Sequence, residues 1–285
     1  MIFGHVALLG STVFLSSLIF LYTSINEKGE VLKRDIMFVT MMLLSGLVCT
    51  RSKYYGELVL ALFFLYVYSP GMFSKFNIKH VGILAAVIVM VIAVGWQKFQ
   101  FYFIDGATEI TRFDPEAIES FARPVLYFTG SLIMIDHFPF GSGLASFASY
   151  PSTKPYSWLY HEYGIDKVYG LSEAEPMFVC DAYYPLLAQF GVVGFALFIA
   201  FFVYICQVLK NQIRLEALRF KWYYIISSLI VCYVLIESIA GTVFAQSHGV
   251  LAMIFLGCIC SDGMRMKHSK NVEVDEKLLK EKRYI

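Results

Sequence analysis

Charge is what this chain has least of. Of its 285 residues, 16% are Asp, Glu, Lys or Arg and 58% are hydrophobic, with a mean hydropathy of +0.63. A soluble domain of this length could not hide so much apolar surface, whereas a bilayer solvates it directly. A net charge of +1 leaves no electrostatic footprint for nucleic acid, which is excluded as a partner. The six cysteines build no disulfide framework: five lie in apolar runs (Cys49, Cys206, Cys232, Cys258, Cys260) and Cys180 alone lies in a loop. No Cys/His spacing suggests zinc, and neither metal nor cofactor is expected. A basic segment ahead of the first apolar run is also missing, and the run from Gly4 to Ile25 is long enough to cross a membrane, so it reads as a span rather than a signal peptide.

What is present is a series of apolar windows at 4–25, 35–50, 55–70, 79–97, 184–209, 222–241 and 246–262. They predict an all-α fold, a polytopic transmembrane helical bundle with about seven spans and one large outer loop. Its divisions are four N-terminal spans in 1–97, the loop in 98–183, three C-terminal spans in 184–262 and a tail in 263–285. The second and third spans are short. Sixteen of the 23 Lys and Arg residues fall in the 26–34, 71–79 and 210–221 connections and the tail, which makes that side cytoplasmic. The amino terminus is then outside, an unusual start that leads us to expect an odd number of further spans upstream; simple insertion with the terminus outside is the alternative. The tail's alternating acidic and basic residues read as a solvated helix or a disordered segment.

The loop from Lys98 to Tyr183 is too long for a connector. It carries most of the acidic residues outside the cytoplasm and a run of aromatics, Tyr150, Tyr156, Trp158, Tyr160, Tyr163 and Tyr169. Rings with polar tips suit sugar faces, and they suit a membrane interface equally well. Phe121–Phe138 reads as an amphipathic helix, with Val125, Leu126, Phe128, Leu132, Ile133 and Ile135 as its apolar content. It ends at Pro139, and Gly141-Ser142-Gly143 then permits a tight turn and a close backbone approach. Arg51 and Lys53 lie at the outer turn between two short spans, where cations are disfavoured. They either snorkel to lipid phosphate or face an anion site, which Arg123 could join through its fork of donors.

These elements resemble the bacterial O-antigen ligase and polysaccharide polymerase superfamily. Cys49-Thr-Arg51-Ser-Lys53 is similar to that family's Ser/Thr-Arg element at a periplasmic span end. Arg123, the helix after it and Pro139-Phe-Gly141-Ser-Gly143-Leu-Ala-Ser-Phe147 are similar to its Arg, helix and Pro-x-Gly-x-Gly-x-x-x-Phe signature. Asp181-Ala-Tyr-Tyr-Pro-Leu-Leu-Ala-Gln-Phe190-Gly191-Val-Val-Gly194 is similar to the segment entering the span after the large loop. Members usually carry several more N-terminal spans, in line with a truncated amino end. The resemblance makes the loop periplasmic and places the protein in the bacterial inner membrane.

It implies a metal-independent glycosyltransferase that takes glycan from an undecaprenyl-diphosphate-linked oligosaccharide and needs no cofactor. A chain-length regulator and a flippase are implied as partners. Arg51 and Arg123, with Lys53 third, would stabilise the departing diphosphate. Gly141 and Gly143 would let backbone approach the substrate. Ligases of the family carry a His-Asn pair where this chain has Cys180-Asp181, so Asp181 becomes the expected base, with His161 and His248 as alternatives. His137 is expected to cap or orient the amphipathic helix. The missing His favours a capsule, exopolysaccharide or O-antigen polymerase over a ligase. A transporter, which would place polar groups at mid-membrane, fits less well, since Glu237 is the clear acidic residue within a span. An inactive fragment is the bland reading.

Overall fold

A computed structural model describes residues 6–67, 122–177, 179, 182–213, 218–262 and 264, with isolated helical positions between 82 and 104. The span expected at 79–97 lies outside the described residues apart from such positions, as do Cys180, Asp181 and the tail beyond 264. Among the described residues the fold is all-helical, and the extended pairing is a single bridge between Thr153 and Tyr156. The elements are α1 (Val6–Lys28), α2 (Lys33–Ser45), α3 (Ser52–Leu62), α4 (Ala122–Asp136), α5 (Trp158–Glu162), α6 (Tyr183–Leu186), α7 (Gly191–Ile213), α8 (Leu218–Ser238) and α9 (Ser247–Asp262).

Among the described residues, three helical stretches are long and apolar enough to cross a membrane: Leu8–Lys28, Gly191–Lys210 and Arg219–Ser238. At ~1.5 Å per residue each reaches across the ~30 Å hydrocarbon layer. The shorter α9 is also apolar. The span expected from 184 begins only at Gly191. Pro185 and the left-handed Gly191 (φ 62°) interrupt the helix, and residues 183–190 fold instead as α6 and a 3-10 turn. The two short spans appear as α2, extended by a 3-10 turn over Gly46–Cys49, and α3, extended by a π turn over Phe63–Val67. At 13 and 11 residues, α2 and α3 each fall short of the hydrocarbon thickness. Met37, Met41 and Leu44 form an exposed apolar stripe at helical spacing along α2, and Val48 in the 3-10 turn is exposed too.

The chain divides into two compact units. The first comprises Met1–Val87, Tyr204–Tyr233 and His248–Ile285; the second comprises Ile88–Val203 and Val234–Ser247. In the first unit α1 packs on α2, with Phe14, Leu15, Leu18, Leu21, Val39 and Leu43 buried. Phe14 stacks on Tyr233 with centroids 5.3 Å apart, and Tyr22 meets Phe255 edge-on at 5.4 Å. At the C-terminal end of α1, the Arg219 guanidinium donates to the carbonyls of Ile25 and Asn26, both at 3.3 Å. The Ile25 carbonyl also accepts from the Gly29 amide at 2.9 Å, and the cation adds a second donor there while complementing the helix dipole. Tyr223 donates to Asn26 and Tyr22 to Asp262, tying the same end of the unit to α8 and α9. In the connection before α2, Lys28 pairs with Asp35 at 2.8 Å, and Asp35 also accepts from the Leu32 amide at 3.2 Å.

The turn holding Arg51 rests on Tyr54, which is fully buried and donates its hydroxyl to the Leu43 carbonyl. Gly46 makes room for that hydroxyl, because a Cβ at this position would lie 2.1 Å from it. Gly10 of α1 closes the other side: a Cβ there would sit 3.1 Å from both Cys49 Sγ and Tyr54 Cδ2. Gly46→Ala should therefore destabilise the first unit by about 1–3 kcal/mol through overpacking. Gly257→Ala on α9, where a Cβ meets open space, should leave the melting temperature unchanged or raise it. Thermal melts of purified variants compare the two.

Candidate functional site

Most of the expected site residues among those described belong to the second unit. Its core is built by α4, which buries Ala122, Val125, Leu126, Thr129, Gly130 and Ile133 at helical spacing. These pack with Phe147, Ala148, Leu159, Tyr160, Ile165, Val168, Leu171, Val179 and Ala188. Two residues expected to join the apolar face, Phe128 and Ile135, point the other way and are exposed. The helix stops at Asp136. His137 donates its amide to the Ile133 carbonyl at 3.0 Å and accepts from the Gly141 amide at 2.8 Å, so its backbone turns the chain out of the helix. Its Nδ1 is buried without a hydrogen-bond partner, and its ring lies 6.3 Å from that of Trp158.

Gly141 and Gly191 are both left-handed, with φ 78° and 62°. A Cβ on Gly141 would lie 2.3 Å from the Ala188 oxygen and the Gly191 nitrogen. One on Gly191 would lie 2.3 Å from the Gly141 nitrogen and 2.4 Å from the Pro139 oxygen. The close approach expected at the Gly-Ser-Gly turn is thus an approach to the chain's own backbone. Hydrogen bonds fasten it: Ser142 N–H to Ala188 O at 3.2 Å, Gly143 N–H to Gln189 O at 3.1 Å and Val193 N–H to Pro139 O at 3.2 Å. Gly143 is also left-handed (φ 93°), but nothing lies within 4 Å of where its Cβ would be. It is the exposed half of the motif.

Gln189 completes the attachment and was not singled out by the sequence. Its buried side chain accepts from the Ala145 amide at 2.7 Å and donates to the Phe147 carbonyl. Ala145 and Ala148 both have positive φ, 62° and 47°, a conformation that costs an L-residue roughly 1–2 kcal/mol. Each is held there by a hydrogen bond that its amide donates, Ala145 to the Gln189 side-chain oxygen and Ala148 to the Tyr160 hydroxyl oxygen (3.0 Å).

The aromatic run separates into two groups. Tyr160 is buried, with Phe147 and Tyr156 stacked on it at 5.6 and 5.0 Å and its hydroxyl 2.9 Å from Ser152 Oγ. Tyr156 donates to the Leu171 carbonyl at 2.6 Å, and Tyr163 donates to Asp136 at 2.7 Å. Tyr150, Trp158 and Tyr169 are exposed. Burial is the main cause that raises the Tyr156 phenol above its ordinary range; burial, then the Asp136 hydrogen bond, does the same for Tyr163.

Of the expected bases, His161 stands on α5 with its Nδ1 2.9 Å from Asp166 Oδ2, the two side chains being 58% and 26% exposed. Asp166 therefore fixes the ring orientation, with the Tyr156 ring edge-on to it at 5.3 Å. Asp166 was not singled out by the sequence. His248, in the first unit, lies edge-on to the Tyr233 ring at 6.4 Å and is half-buried. Asp181 lies outside the described residues.

Arg123 is the second residue of α4 and is partly exposed. Arg51 and Lys53 belong to the first unit, so the three cations are not all in one compact body. Arg51 is the N-cap residue of α3, follows the left-handed Thr50 (φ 51°), and makes no capping hydrogen bond with its side chain. The partial positive charge of a helix N-terminus therefore adds to two side-chain cations at this corner. Among the described residues, no three His, Cys, Asp or Glu side chains gather as metal ligands would.

Comparison with protein-family models, curated proteins and solved structures finds no match. The functional reading therefore rests on the residues and their geometry.

Three outcomes are expected here. Gly141→Ala should cost about 3 kcal/mol or more, summing left-handed strain and a clash with backbone that cannot withdraw. Gln189→Ala should cost about 1–3 kcal/mol for the unpaired groups it leaves; chemical denaturation measures both. In alkali, Tyr156 and Tyr163 should stay protonated above the ordinary tyrosine value of ~10. A raised folded-state pKa stabilises the fold below the unfolded value and loses that contribution as pH climbs through the folded one. Phenolate absorbance of wild type and Tyr156→Phe should then coincide until the fold is lost. Extra phenolate in wild type near pH ~10.5 would contradict the buried setting.

Proposed function

We propose that the protein polymerises lipid-linked oligosaccharide repeat units at the periplasmic face of a bacterial inner membrane, within a bundle of about seven spans. The supporting observation is the exposed His161 ring braced by Asp166 on the same folded body as the Arg123 helix. An acceptor hydroxyl attacks the anomeric carbon of the donor glycan. The bond from that carbon to the diphosphate breaks, its electron pair stays on the leaving oxygen, and the hydroxyl proton passes to the base. His161, whose side chain is exposed, is the favoured base among the described residues, and Asp181 is the alternative.

Charge accumulates on the diphosphate as it leaves, so fixed cations bind the transition state more tightly than the ground state. Arg123, in the first turn of α4, is the candidate for that role in the second unit, and Arg51, at the uncapped start of α3, with Lys53 beside it in sequence, is the candidate in the first. Guanidinium suits it because its planar fork stays charged at all working pH values and matches phosphate oxygens. The exposed Tyr150, Trp158 and Tyr169 offer faces for sugar C–H surfaces.

Arg51→Ala and Arg123→Ala should each lower polymer formation about 10²–10³-fold. His161→Ala should lower it about 10²–10⁴-fold, and Asp166→Asn by less. Glycan gel analysis should show single repeats left on the carrier lipid. Long chains left on the carrier would point to a ligase instead, and undiminished polymer in both arginine variants would sink the diphosphate mechanism.

A further inference from the structure

Residues 137–153 contain no Asp, Glu, Lys or Arg, although the surrounding loop is rich in acids. This uncharged strap is mostly not buried. Phe138, Phe140 and Leu144 are 70, 73 and 76% exposed, and Ile135 beside them is exposed too. Single exposed apolar residues are ordinary, but three on one uncharged turn, with Ile135 at the end of the preceding helix, mark an interaction surface.

The strap's position says what covers it. The Pro139 carbonyl accepts from the Val193 amide, and Gly141 lies against Gly191. These are the first residues of α7, whose most apolar window is only 11% buried in the protein. A helix so apolar and so little covered faces lipid along its length, and it starts with Val192, Val193 and Leu197 exposed. Its 23 residues span ~35 Å, slightly more than the hydrocarbon layer, so its first turn lies at the boundary of headgroups and acyl chains. The strap is fastened at that depth, and its apolar side chains continue the lipid-facing surface of the helix.

We propose that Phe138, Phe140 and Leu144 insert into the acyl chains of the leaflet where α7 begins, seating the second unit on the membrane. The occupant is bulk bilayer lipid. A second copy of the chain or the tail of a lipid-linked donor are the rivals. The proposal does not depend on the reaction assigned above.

The test places the photo-crosslinking residue p-benzoylphenylalanine at 138, 140 or 144 of the full chain, in vesicles of phosphatidylethanolamine and phosphatidylglycerol. Replacing an exposed Phe or Leu with a larger aromatic does not disturb the core. Leu197 on the bare face of α7 serves as the lipid-exposed reference and Lys154, exposed on the same loop, as the aqueous one. Illumination should give phospholipid adducts, seen by intact mass, at the strap positions and at 197, with none at 154. Adducts at 197 without any at the strap would overturn the proposal. So would strap crosslinks to a second chain, or strap adducts that require an added polyprenyl diphosphate.

Discussion

The second unit depends on two glycine backbones in contact, Gly141 and Gly191. No other residue pair allows this approach, since a methyl on either would sit inside the other's peptide group. The contact is short in space and long in sequence. It joins the turn after α4 to the start of α7, and three backbone hydrogen bonds and the Gln189 side chain align around it. The same contact fixes the exposed turn against the start of α7, a helix long and apolar enough to cross a membrane. Packing and strain in this unit thus follow from one steric requirement.

The first unit uses glycine differently. Gly10 and Gly46 do not meet backbone; they open a socket for the Tyr54 ring, which supports the corner from which Arg51 projects. The arginine itself is ordinary. Its setting is not: an uncapped helix start adds to the cationic field, while the left-handed Thr50 reverses the chain just ahead of it. An aromatic wedge between helices holds such a corner, and its hydroxyl is satisfied by the Leu43 carbonyl.

Much of this was legible in the sequence. The 3.6-residue spacing of Val125, Leu126 and Ile133 predicts α4, and Pro139 predicts its end, because both signals are local. The long apolar runs predict the three membrane-length helices for the same reason. The partner of Gly141 was not legible, since nothing near it points to a residue fifty positions away. Neither was Asp166, one acid among many in the loop, distinguished only by the turn that brings it to His161. The aromatic run gave no hint that Tyr156 and Tyr160 pack inward while Trp158 and Tyr150 face out, because a ring with a polar tip suits both places. Phe128 and Ile135 misled the reading of the helix face, since lipid and protein core ask for the same residue types.

The central structural claim is that the turn after α4 and the start of α7 form one locked element. Single-residue amide hydrogen exchange on the full chain in lipid bilayers tests it most directly, at Ser142, Gly143 and Val193, whose amides cross the contact. The account predicts strong protection at all three, with a common opening free energy, as expected for bonds that break together. Exchange of Ser142 and Gly143 at the rate of an exposed peptide, or opening independent of Val193, would contradict it.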